Sequence, residues 1–161
     1  MKHNGEGMYF WKIEELKQDI REKNVSEFTI FIYFMIFFIG SYAVYELSYI
    51  WPPEEVNNWD IIGSIASIVL GVSATSTMFF LNGGKSGNQF LTKYFSIGFV
   101  ASIRYFVITI PLLLIPFMFS LAEIDENSDI STTGIETIVL FVWELGLYAY
   151  ICKHISEVKN S

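Results

Sequence analysis

Histidine and cysteine are almost missing from this chain, and charge is missing over long stretches of it. The only histidines are His3 and His154 and the only cysteine is Cys152. A lone cysteine excludes an intramolecular disulfide, and so few soft ligands exclude a clustered metal motif, so no metal and no cofactor are expected. Charged residues are 17% of the 161, against 52% hydrophobic and 17% aromatic. The apolar share lies above that of an ordinary soluble domain and the charged share below it.

The apolar residues also lack the short periods of a soluble helix or strand. They come in blocks. Phe28 to Tyr45 and Ile61 to Gly84 contain no charge at all, Tyr94 to Ala122 contains only Arg104, and Thr137 to Cys152 contains only Glu144. A run of about 18 apolar residues is enough for a membrane-crossing helix. The expectation is an all-α membrane protein, an antiparallel four-helix transmembrane bundle with spans near 28–48, 61–82, 94–120 and 134–153. The fourth span reaches full length only by starting near Gly134 and taking in Glu136.

Bases are missing from two of the connecting segments. The links holding Glu54, Glu55 and Asp60, and Glu123, Asp125, Glu126 and Asp129, contain no Lys or Arg. Lys2, Lys12, Lys17, Arg21 and Lys23 precede span one, Lys85 and Lys93 join spans two and three, and Lys153 and Lys159 follow span four. Positive residues in short loops mark the inner side, which makes both termini cytoplasmic in a multi-pass protein of the cell membrane. The net charge of −7 comes largely from the outer links. No small-residue cleavage pattern follows the first apolar run, so that span is expected to be retained.

Residues 1–27 form the polar N-terminal segment, and 28–161 the membrane domain. Within the former, Phe10, Ile13, Lys17 and Ile20 share a helical face with Leu16 beside it, which predicts a short amphipathic helix over about 8–23. With Tyr9, Phe10 and Trp11 at its start, it suits the cytoplasmic headgroup layer, and docking to a cytosolic partner is the alternative. On the outer side Tyr42, Tyr45, Tyr49, Trp51 and Trp59 gather as an interfacial belt, and Pro52-Pro53 ends the helix there.

Span two carries a strip of small residues, Gly63, Ser67, Gly71 and Thr75. Such strips let helix backbones approach in lipid. Internal packing is expected, with Gly98 and Ser102 of span three or Gly40 of span one as matching surfaces. Arg104 and Glu144 stand roughly 15 and 13 Å deep at helical rise. Isolated intramembrane charges are costly, so the matched depth predicts an Arg104–Glu144 ion pair, read first as a device that fixes helix register. Pro111 and Pro116 are read as ordinary features of a membrane helix.

Enzyme signatures are lacking. Gly83-Gly84-Lys85-Ser86-Gly87 ends like a phosphate-binding loop, but Phe79 stands where its first glycine is required, so it reads as a flexible turn. Gly71-Val72-Ser73 has no histidine in any span to activate the serine. The prelude Phe10-Trp11-Lys12-Ile13-Glu14-Glu15-Leu16-Lys17 followed by four spans resembles small uncharacterised four-span bacterial inner-membrane proteins, a resemblance that implies no activity. The expected function is non-enzymatic: an accessory or interaction bundle in the lipid bilayer, contacting a membrane-protein partner or a second copy, with no nucleic acid involved. The alternative is a small oligomeric transporter or channel subunit built on Arg104 and Glu144.

Overall fold

The computed structural model describes residues 8–50, 56–122 and 132–159. Among them the chain is all-helical: α1 (Ile13–Arg21), α2 (Glu27–Ile50), α3 (Asn58–Leu81), α4 (Phe90–Ala122) and α5 (Gly134–Ser156), with a 3-10 turn at Gly84–Ser86. Four of these, α2 to α5, are long and apolar enough to cross a membrane.

Local chemistry sets the helix ends. In α1, Glu14 and Glu15 lie in the first turn and Arg21 in the last, each opposite in sign to the helix dipole it meets. The helix stops at Lys23, whose φ of 57° is left-handed, with Asn24 N–H returning to the Asp19 carbonyl and Lys23 N–H to that of Ile20. Ser26 then accepts the Thr29 amide at 3.1 Å to start α2. Both α3 and α5 begin with a reciprocal capping box, Asn57 with Asp60 and Thr133 with Glu136. Pro111 and Pro116 sit within a helix that runs unbroken to Ala122.

The N-terminal helix is shorter than its sequence pattern suggests. Met8 to Lys12 is not helical, because the Tyr33 hydroxyl takes up both backbone groups of Tyr9: it accepts from the amide at 2.7 Å and donates to the carbonyl at 3.1 Å.

Side-chain contacts give the spatial order. Helix α2 packs on α4, α4 on α5 and α5 on α3, while α1 lies against α4. Phe34 meets Phe95 and Phe37 meets Phe99, so α2 and α4 run parallel. Helices α3 and α5 also run parallel, since Gly63 faces Thr137 and Gly71 faces Tyr148. Helices α4 and α5 run antiparallel, Tyr105 meeting Tyr150 and Thr109 meeting Trp143. Among the described residues no substantial contact joins α2 to α3, although they follow each other in sequence.

The densely buried core lies at one end, which we call the capped end. It joins Ile13, Leu16 and Ile20 of α1 to Tyr33, Met78, Ile97, Val100 and Ile155. Toward the opposite, open end large apolar side chains such as Ile62, Val69, Ile108, Ile135 and Leu140 stand exposed. Apolar surface so extensive has no place in water and is what hydrocarbon solvates.

Candidate functional site

Two groups of polar side chains stand out, one at the capped end and one between α3 and α5. At the capped end α1 delivers Lys17 into the core with its aliphatic stem buried. Its ammonium pairs with Glu14 at 2.6 Å and with Glu157 just beyond α5. Arg21 donates to the Glu157 carbonyl at 3.0 Å, and His154 Nδ1 lies 3.2 Å from the Glu157 carboxylate. The two terminal segments are thus tied together.

Glu14, His154 and Glu157 bring one potential ligand atom each within 4.8 Å of one another. An ammonium already bridges the two carboxylates, so the trio is chemically an ion-pair latch. Beside it, Tyr9 donates its hydroxyl to Asp19. Burial, and then the Asp19 carboxylate, hold the Tyr9 phenol well above the usual tyrosine value.

The face of α1 expected to meet headgroups is covered by the chain itself. Ile13, Leu16 and Ile20 are buried against α4 and the end of α5, while Phe10 and Trp11 remain exposed. Helical periodicity identifies an apolar face but not the surface that covers it, which is why the sequence favoured lipid.

The small-residue strip is the α3 side of the α3–α5 seam. A Cβ at Gly63 would lie 3.2 Å from Thr137 Cγ2, and one at Gly71 would lie 3.2 Å from the Tyr148 hydroxyl. Between these, Ser67 donates to Glu144 at 2.7 Å. Thr75, one turn on, is half-buried. The partners expected for this strip are not used: Gly40 has no atom within 4 Å of a Cβ, and Gly98 faces Phe37 on α2.

The Arg104–Glu144 ion pair is not formed. The Arg104 guanidinium lies 5.5 Å from the centre of the Trp11 ring, with no carboxylate in salt-bridge range among the described residues, and Glu144 is taken by Ser67. Depth was matched but helix phase was not. Tyr105 is the α4 residue that turns to α5, donating to the Trp143 carbonyl at 2.9 Å, and Arg104 points roughly 100° away from it. On α5, Trp143 turns to α4 through its 2.7 Å bond to Thr109, which carries Glu144 round toward α3.

Comparison with protein-family models, curated proteins and solved structures gives no match.

At the open end Tyr45 and Tyr49 are exposed, their rings in series with Tyr42 at 6.5 and 6.3 Å. Trp51 lies outside the described residues. Trp59 packs over Gly134, where a Cβ would come within 2.9 Å of its ring, and so joins α3 to α5. Asn57 adds a 2.8 Å bond to the Thr132 carbonyl.

Several functional contacts escaped sequence reasoning. The turn after α3 is pinned, since the buried Lys93 donates to the buried Asn82 at 2.9 Å and the Asn82 amide donates to the Asn88 carbonyl at 3.2 Å. The capping boxes are legible in the sequence as Asn57-x-x-Asp60 and Thr133-x-x-Glu136, acids that the charge pattern alone places in the link before span two and at the outer end of span four. Gly146 lies under the Tyr105 hydroxyl in contact too close for any side chain. Its signal is present in the sequence as the one glycine in the interior of α5, whose other glycine, Gly134, is its first residue.

Proposed function

We propose that this chain is a multi-pass membrane protein of the cell membrane with both ends cytoplasmic, and that it acts by contact rather than catalysis, as an accessory or interaction bundle. The capped end holds Lys12, Lys17, Arg21, Lys23, Lys85, Lys93, Lys153 and Lys159, and the open end presents Asp60 and Glu136, a distribution that supports the cytoplasmic assignment. In this reading α1 is a cytoplasmic amphipathic helix that closes the inner end of four antiparallel-connected spans.

The observation that carries the contact reading is where the membrane charges go. Glu144 joins α5 to α3 through Ser67, and Arg104 joins α4 to the segment ahead of α1 through Trp11. Each charge is used to hold two parts of the chain together. The alternative, a small oligomeric transporter or channel subunit, would use Arg104 and Glu144 in a hydrated polar cavity.

Hydration of the seam tests this. In a Cys152→Ser background, Ser67→Cys should resist a water-soluble thiosulfonate reagent, while Ser86→Cys in the exposed turn reacts readily. Rapid modification of Ser67→Cys would mean water reaches Glu144, and the contact reading would give way to a transport pathway.

A further inference from the structure

Glu46 and Arg104 are charged side chains within the spans that have no counter-charge in salt-bridge range among the described residues. Arg104 keeps a buried Nε without a hydrogen-bond partner, and Trp11 faces its guanidinium with a ring that attracts the cation but supplies no acceptor oxygen. Glu46, on α2, is exposed. Glu144 differs from both, since Ser67 meets it. In hydrocarbon an unpaired acid or base is costly.

Contacts between helices put the two at nearly one depth. The Tyr105 hydroxyl reaches the Trp143 carbonyl and lies over Gly146, so Arg104 stands about halfway along α5, which runs from Gly134 to Ser156. Phe37 meets Phe99 across the parallel α2 and α4, and the same number of residues beyond each come Tyr42 and Arg104. Glu46 is one turn past Tyr42, about 6 Å nearer the open end, a gap that a long arginine side chain covers. The two cannot close it within one chain. From Phe37 to Glu46 is about two and a half turns, so Glu46 points away from α4. Arg104 is turned roughly 140° from Phe99 and lies among Trp11, Val107 and Ile108, all exposed.

We propose that the side of α2 carrying Ile39, Tyr42, Glu46 and Ile50 is where a second copy of this chain docks, Glu46 of one copy pairing with Arg104 of the next. These residues share one exposed face, and α4 is the only substantial helix neighbour of α2 among the described residues, which leaves that face free. Charge complementarity selects the occupant. Copies of one membrane protein share one orientation, and rotation about the bilayer normal keeps every residue at its depth. The acid that Arg104 lacks therefore arrives at the level where it is needed. The guanidinium donates to the carboxylate in a charge-assisted pair, which the low dielectric strengthens. Acid and base lie on different faces, so the contact is head-to-tail and each copy offers both halves, the arrangement from which rings are built.

This inference rests on the contact reading and names its partner. A monomer would overturn the inference and leave contact with a different protein standing, whereas water at Ser67→Cys would overturn the contact reading whatever the copy number. Full-length chains carrying two different tags are co-expressed, extracted in mild detergent and purified on one tag, and the other tag is measured. Wild-type copies should co-purify. Glu46→Leu, a change on the exposed side of α2, should lower co-purification about ten-fold or more, the scale of breaking a desolvated charge pair. Glu27→Gln, at the start of the same helix, should leave it unchanged. Glu46→Arg and Arg104→Glu should each lose self-association, and the two co-expressed should recover it, because every contact then joins opposite signs again. The proposal is overturned by a wild type that does not co-purify, by undiminished association in Glu46→Leu, by an equal loss in Glu27→Gln, or by no recovery in the mixed sample when both chains accumulate. If Arg104→Glu does not accumulate, Glu46→Leu decides.

Discussion

Ser67 on α3 donates a 2.7 Å hydrogen bond to Glu144 on α5, across a seam between two parallel helices. Arg104, the residue with the opposite charge, lies on the far face of α4 against Trp11. Ser67→Ala should therefore destabilise the protein by about 1 kcal/mol, the scale of an interhelical hydrogen bond in membranes. Neutralising Arg104 and Glu144 together should give effects that add, as uncoupled sites do. The exchange Arg104→Glu with Glu144→Arg should leave expression as poor as the worse single change; recovery would restore the ion pair and contradict the seam.

The same seam depends on side chains that are not there. Gly71→Leu and Gly63→Leu would drive a side chain into Tyr148 and Thr137, and each should cost about 1–3 kcal/mol in thermal unfolding in detergent. Gly40→Leu, which enters open space, should lie within about 0.5 kcal/mol of wild type. Equal tolerance at all three positions would move the strip away from α5.

How far the sequence carries the fold is visible in these residues. Hydropathy blocks locate all four long helices, and Gly134 and Glu136 prove to be the first turn of α5, as the span length required. Spacing along one helix also finds the Gly63, Ser67, Gly71 strip and the apolar face of α1. What spacing cannot supply is the partner. Depth alone put Arg104 with Glu144, whereas the neighbouring Tyr105 and Trp143 fix the rotation of α4 and α5 and so part the two charges. The internal cover on α1 likewise depends on Tyr33, a residue that reads as one more aromatic in an apolar run until its hydroxyl is seen bridging Tyr9.

The capped end should open when its latch is cut. Lys17→Met leaves Glu14 and Glu157 without their shared ammonium, and since both carboxylates reach water the cost should be about 1–2 kcal/mol rather than that of a fully buried pair. Limited proteolysis should then cleave within residues 8–24 faster than in the wild type. Unchanged protection would show that the apolar face of α1 holds without the latch.

Alkali should act on the same region through Tyr9. Its phenol is held protonated in the folded state beyond the ordinary tyrosine range, so the Tyr9–Asp19 contribution is complete below about pH 10. As pH rises further the unfolded chain releases a proton that the folded chain keeps, and stability falls. The advantage of wild type over Tyr9→Phe in thermal unfolding should shrink above that point. A difference that stays constant with pH would mean the hydroxyl is not confined as described.

In the proposed topology the chain crosses the membrane four times with its capped end inside. In a Cys152→Ser background, single cysteines at Val56, Ser86 and Ser156 are exposed to a membrane-impermeant maleimide in intact cells and again after permeabilisation. Only Val56→Cys, on the segment leading into α3, should label in intact cells, and all three should label once the membrane is opened. Labelling of Ser86→Cys or Ser156→Cys in intact cells, or protection of Val56→Cys there, would contradict the assignment.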